Sequence, residues 1–263
     1  MLAVTALVIA WKHGDARKDA DLRDAPNSVS ALGSLDATAG GTEAGAYAVP
    51  VPGAPDGGGA EKRTRGGVSP QVQKFLAENG ENFDSYEASC ASLSACRLED
   101  GYSLHEKIYA TKGEVSGVFR AFVTQSPKDA WNGTSKFELV YDRYTKRKYT
   151  RDSDDIPEIR TGQLFFLTLS LPLGLKIPVV FEIVKIDAER REFAFSYVKA
   201  NKSNGIQSIS FRQNGDSVEI THTTHYKSGS EFRDKHLYAR FHESLTDDFY
   251  ENFFNSLSKT SKP

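Results

Sequence analysis

His222, His225, His236 and His242, with Cys90 and Cys96, are the residues in this 263-residue chain whose types and spacing first suggest chemistry. His222 and His225 form a His-x-x-His pair that invites a metal reading. They lie in an alternating strand pattern, Ser217 to Lys227, where a separation of three sends two side chains to opposite faces. His236 and His242 are six apart in a helical pattern and do not share a face well. Cys90 and Cys96 have no further Cys or His at metal-site spacing. No metal and no cofactor are expected.

His222 then stands as the one inward histidine. Val218, Ile220, His222, Thr224 and Tyr226 occupy one side of their strand, and Glu219, Thr221, Thr223 and His225 the other. As a general acid or base, His222 would need access to a substrate proton and a pKa near the working pH. It is the sole catalytic candidate. Its ordinary alternative is a core imidazole satisfied by one hydrogen bond. The cysteine pair predicts a small-loop disulfide in an oxidising compartment and two free thiols in the cytosol.

The elements that must position these residues occupy the last 160 or so residues. A first strand near Tyr102 to Lys112 carries Leu104, Ile108 and Ala110 on one side. Val115, Val118, Phe119, Phe122 and Val123 recur at helical spacing, with a strand from Val115 to Gln125 as the alternative, and Ser126-Pro127 opens a short helix carrying Trp131. Strands follow at Lys136 to Tyr144, Gln163 to Leu171, Leu175 to Ile186, Glu192 to Ala200, Gly205 to Gln213 and Ser217 to Lys227. Their short, turn-rich connections predict sequential antiparallel pairing. From about Asp234 to Ser258 runs a helix with Leu237, Phe241, Leu245, Phe249, Phe253 and Leu257 in an i+4 row, flanked by Tyr238, Tyr250 and Phe254. The predicted fold is α+β, a seven-stranded curved antiparallel sheet around a long C-terminal helix.

Strand alternation sets the concave wall. Phe193, Phe195 and Tyr197 fall together, as do Gln207, Ile209 and Phe211, then Leu175, Ile177, Val179, Phe181 and Ile183, with Phe165, Leu167 and Leu169 extending them. The predicted ligand-binding set is Phe193, Phe195, Tyr197, Gln207, Ile209, Phe211, Ile220, His222, Thr224 and Tyr226, facing Phe241, Leu245, Phe249 and Phe253 of the helix. A few polar groups in an apolar lining are what orient a small molecule.

The order of strand, two short helices, six strands and long C-terminal helix resembles the helix-grip fold of the Bet v 1-like, START-related (SRPBCC) superfamily over residues 102–258. Gly113-Glu114-Val115-Ser116-Gly117-Val118-Phe119 with Trp131, and Phe193-Ala194-Phe195-Ser196-Tyr197, are similar to an uncharacterised plant and bacterial branch of it. The resemblance implies a cavity between sheet and helix for lipids, sterols, polyketides or other hydrophobic molecules. Some members cyclise or dehydrate polyketides and many only bind; no catalytic residue carries over. The expected function is a hydrophobic small-molecule or lipid binding module. The alternatives are a polyketide cyclase or dehydratase-like enzyme using His222 with Tyr226 or Tyr197, and a structural or protein-interaction domain with a filled interior.

Upstream, residues 67–100 read as a short helical preface containing Cys90 and Cys96. Residues 12–66, rich in Ala, Gly, Asp and Pro, read as a disordered linker. Residues 1–11 are apolar but short of the roughly 20 that span a bilayer. They resemble a signal h-region without a basic flank or a clean cleavage site, so export or membrane association through this segment and a cytoplasmic location both stay open. With a net charge of −2, no nucleic-acid partner is expected. The basic and aromatic run Arg143 to Arg151 is followed at once by Asp152, Asp154 and Asp155 and reads as a solvated hairpin or loop. Asn132-Gly133-Thr134 and Asn201-Lys202-Ser203 match a glycosylation sequon, relevant only in a eukaryotic secretory pathway. The chain has no phosphate-binding glycine loop, no Gly-x-Ser-x-Gly elbow and no His-Glu-x-x-His.

Overall fold

The computed structural model describes residues 67–171, 174–230, 234 and 239–260. The apolar segment 1–11, the linker 12–66 and the helix-start residues His236, Leu237 and Tyr238 lie outside the described residues. Alternation at strand period builds β1 (Ser103–Lys112), β2 (Ser135–Asp142), β3 (Arg147–Thr150), β4 (Gln163–Ser170), β5 (Lys176–Asp187), β6 (Glu192–Tyr197), β7 (Ser203–Asn214) and β8 (Ser217–Ser228). They form one antiparallel sheet of eight strands in the order β1-β8-β7-β6-β5-β4-β2-β3. The helices are α1 (Pro70–Asn79), α2 (Val115–Thr124), α3 (Pro127–Ala130) and α4 (Ala239–Thr260). The architecture is consistent with a helix-grip fold.

The expected seven strands become eight because Arg147–Thr150 folds back on Leu139–Asp142 as an edge hairpin. Two of its four residues are charged and only Tyr149 is buried, so no apolar alternation announces it. The basic run it belongs to is consumed internally. Arg143 donates to the carbonyls of Phe83, Asp84 and Tyr86 and pairs with Glu182, Lys146 pairs with Asp84, and Arg151 donates to Asn132.

Sequential pairing holds from β4 to β8, and β8 closes onto β1. Two register shifts, between Phe137 and Leu139 and between Ile183 and Lys185, change which residues face the helix side. After the first shift Val140 rather than Leu139 joins the core under α4, and after the second Ile186 packs against it. A bulged strand leaves one residue unpaired and reverses the alternation beyond it.

In β1 the apolar side is the outer one. Leu104 and Ile108 are 50% and 58% exposed, whereas His105, Lys107 and Tyr109 turn toward α4. The preference has an electrostatic cause: Lys107 Nζ bonds Glu243 at 2.9 Å and Asp247, and Tyr109 donates to Asp247 at 2.8 Å. Burial pulls the Lys107 pKa down, but these two carboxylates outweigh it and hold the ammonium above the ordinary lysine value. Burial raises the Tyr109 phenol.

Residues 68–100 cover the opposite face of the sheet. Val72 and Phe75 of α1, with Phe83 and Tyr86, pack on Leu139, Tyr141, Leu164, Phe166, Val180 and Val198. Ser69 caps α1 through the Val72 N–H, and its hydroxyl lies 2.7 Å from that of Thr168 on β4. Cys90 and Cys96 form a disulfide with Cα atoms 5.8 Å apart, seated on Ala194 and Ile206. His225 points to this face, where its Nδ1–H donates to the Cys96 carbonyl at 2.8 Å. The middle of the sheet, on β2 and β4 to β7, is therefore covered on both sides, while the outer side of β1 stays exposed.

Candidate functional site

The short strand β6 determines where the grip opens. Its pairing ends at Phe181↔Tyr197 with β5 and at Ser196↔Ile206 with β7. Beyond it, residues 176–180 of β5 and 203–205 of β7 have no strand between them, which leaves a notch in the sheet. Backbone groups at the notch still need partners. Asn201 supplies two: its Oδ1 accepts from the Val180 N–H at 3.2 Å and its Nδ2 donates to the Val180 carbonyl at 2.5 Å. Ala88 bridges Val198 from the cover segment, and Ser89 Oγ binds the Gly205 N–H at 2.9 Å. Gly205, at φ +149°, leaves no room for a Cβ against the His225 and Tyr226 backbone.

Two cavities meet here among the described residues. The inner one, about 70 Å³, lies between sheet and helix and is lined by Phe122, Trp131, Leu167, Phe181, Phe193, Phe195, Tyr197, Gln207, His222, His242, Leu245 and Phe249, among others. The outer one, about 350 Å³, lies at the notch between α1, the β4–β5 and β6–β7 connections and the start of the described part of α4. They share Leu169, Val179, Tyr197, His242 and Leu245. The larger falls within the usual range of ligand pockets, roughly 300–1,000 Å³.

Of the predicted lining residues, Phe193, Phe195, Tyr197, Gln207, His222, Leu245 and Phe249 border the inner cavity, and Phe241 borders the outer one with Tyr197 and Leu245. Ile209, Phe211, Ile220 and Phe253 lie instead in the solid core. Phe122 of α2 fills that end: its ring sits 5.1 to 5.7 Å from those of Phe193, Phe211, Phe249 and Phe253. Thr224 is buried with its hydroxyl 3.4 Å from His242 Nε2. The Tyr226 hydroxyl donates to the Asp234 carbonyl at 2.9 Å, outside both cavities.

The polar groups form a directed chain. Gln207 Nε2 donates to the Tyr197 hydroxyl at 2.7 Å, which leaves Gln207 Oε1 to accept from His222 Nε2 at 2.7 Å. His222 is thus the Nε2–H tautomer, and its buried Nδ1 has no hydrogen-bond partner among the described residues. Burial, with a smaller push from His105, takes its pKa down to about 3. Burial, His222 and His105 together hold His242 well below the ordinary histidine value. Both imidazoles are neutral near pH 7.

His242 and Trp131 are lining residues that strand alternation could not supply. His242 stands one ring from His222, with centroids 5.7 Å apart, and one from His105, at 5.6 Å. The available signal was helical: His242, Thr246 and Tyr250 form a second i+4 row beside Phe241, Leu245 and Phe249. Three histidines nearby do not make a metal site, since among the described residues no group of three His, Cys, Asp or Glu side chains is placed to hold an ion.

No known family's profile matches the sequence, and no curated protein matches it. Among solved structures, norcoclaurine synthase from Thalictrum flavum in complex with dopamine and hydroxybenzaldehyde is similar at 13% identity over 62% of this chain and 89% of that one, with a TM-score of 0.46. A Thermus thermophilus protein is similar at 11% identity over 61% and 100%, with a TM-score of 0.46. The major latex-like protein of Panax ginseng is similar at 18% identity over 57% and 97%, with a TM-score of 0.39. The two plant proteins have the Bet v 1-like fold. What those proteins bind or make stays with them.

No described helix is long and apolar enough to cross a membrane.

Proposed function

We propose that this chain is a binding module for a hydrophobic small molecule or lipid, without catalytic activity or with little. The carrying observation is a cavity of about 70 Å³ between sheet and helix beside one of about 350 Å³ at the notch, the inner one with an apolar wall interrupted chiefly by Tyr197, Gln207, His222 and His242. Apolar walls supply affinity through the area they remove from water, and the Tyr197–Gln207–His222 chain supplies orientation. A ligand donor that reached His222 Nδ1 would satisfy the imidazole nitrogen of that chain that has no hydrogen-bond partner among the described residues.

A cyclase or dehydratase reading draws on the same chain, with Tyr197 as the partner of His222, since Tyr226 is bonded to the Asp234 carbonyl outside the cavities. It is weaker on acid–base grounds. An imidazole with a pKa of about 3 is a poor base near pH 7 and holds no proton to donate as an imidazolium. The filled-interior reading fits only the end packed by Phe122.

Native mass spectrometry of the full chain purified without detergent should show an apolar adduct that is lost on denaturation. Titration of the full chain carrying Trp11→Phe with 1-decanol should shift the emission of Trp131, the remaining tryptophan, which lines the inner cavity. Repeated absence of an adduct together with no response to decanol would overturn the binding reading.

A further inference from the structure

Among the described residues, the lining of the inner cavity includes no Lys, Arg, Asp or Glu. Its two histidines, His222 and His242, are neutral near pH 7, because burial disfavours the imidazolium of each. An ionised ligand group lodged there would give up its hydration and meet no countercharge. The inner end of an occupant is therefore neutral.

The neutral polar groups of the lining differ in what they ask of a partner. Tyr197 and Gln207 bond each other, and the Thr246 hydroxyl is bonded to carbonyls of its own helix. Gln125 and Ser135 also border the cavity, and an amide or a hydroxyl both donates and accepts. His222 offers one role only. Its Nε2–H is spent on Gln207 Oε1 at 2.7 Å, so the buried Nδ1, without a hydrogen-bond partner among the described residues, presents a lone pair. Gln207 holds that polarity only while its own Nε2 stays on the Tyr197 hydroxyl. A buried acceptor left unmatched costs free energy that a ligand donor recovers.

We infer that the ligand is a neutral molecule whose inner end carries an uncharged O–H or N–H group, which donates to His222 Nδ1 while its apolar tail packs on Phe181, Phe195 and Leu245. The inference rests on the binding reading above and specifies its chemistry. A carboxylate or a ketone would set an oxygen lone pair against the nitrogen lone pair. A hydrocarbon end would leave the acceptor unmatched.

The test compares 1-decanol with 2-undecanone, a ketone of similar size that has no donor, by Trp131 emission on the full chain carrying Trp11→Phe at pH 7.5. The alcohol is expected to bind about tenfold more tightly. In His222→Leu, shown folded by circular dichroism, the ratio of the two affinities should fall toward unity. Nitrogen-15 NMR of the histidine rings reads the same contact without substituting His222: its Nδ1 resonance should move toward the protonated position with decanol and much less with the ketone. Equal binding of alcohol and ketone, or an alcohol preference that survives His222→Leu, would overturn the donor inference and leave the binding reading standing. So would an Nδ1 resonance that bound decanol leaves in place, the measurement that decides if the leucine variant does not fold. A preference for the ketone would put the proton on Nδ1 and overturn the inference too. Binding of neither probe would remove both readings.

Discussion

The two ends of the grip are built from the same strands and the same helix yet are finished differently. At one end α2 inserts Phe119 and Phe122 between sheet and α4, and Ile209, Phe211, Ile220 and Phe253 close around them as solid core. At the other, β6 stops at Tyr197 and the space persists as two neighbouring cavities, with Trp131 against Phe165, Phe181 and Phe249 in the lining of the inner one. A curved sheet and a helix therefore do not make a pocket on their own. Whether the enclosed volume is solid or open depends on what a third element places inside it.

The largest expected effect comes from emptying the filled end. Phe122→Ala removes a ring that is 1% exposed and touches four others, and should destabilise the domain by about 3–5 kcal/mol in urea unfolding. A loss well under 1 kcal/mol would show that this end is as loosely packed as the other, and the contrast would be lost.

Between the ends stand His222 and His242, whose folded pKa values lie below the ordinary value of 6.5. The unfolded chain takes up protons below that pH that the folded chain refuses, so stability falls as pH drops from about 6.5 toward 3. The slope should reach roughly 1 kcal/mol per pH unit for each histidine, and His222→Gln should remove its share. Unfolding midpoints measured from pH 7 to pH 4 that do not move would mean that water reaches both rings, extending the open end to the centre of the grip.

The smallest effect is expected at the open end itself. Leu245 is only half-buried and borders both cavities, so Leu245→Ala should cost about 1 kcal/mol while enlarging the space on either side of it. A cost similar to that of Phe122→Ala would mean that the open end is closed in solution.

Much of this arrangement was legible in the chain because it depends on local periodicity. The wall strands, the α2 stripe and the aromatic row of α4 alternate or recur clearly enough to place Phe193, Tyr197, His222 and Leu245 on the inner side. What was hidden depends on departures from period or on distance. The shifts near Glu138 and Val184 reverse the faces of β2 and β5 without a residue type that marks them. The inverted polarity of β1 makes sense only beside Glu243 and Asp247, more than 130 positions away. His242 pairs by eye with His236 along the chain, whereas its own row, with Thr246 and Tyr250, runs around the helix. The preface was legible as a helix but not as a wall, since its partners Leu164, Phe166 and Val180 look like ordinary strand residues.

That preface also bears on how the pocket can respond to an occupant. Strands β4 and β5 are backed by a close-packed layer from Val72, Phe75, Phe83 and Tyr86, and such layers compress little. The sheet side of the cavity is mechanically an anvil. Any adjustment to the shape of an occupant must fall to the elements without such backing, the helix and the connections at the notch. Discrimination among tail shapes is then set by the stiff wall, and tolerance of different lengths by the soft one.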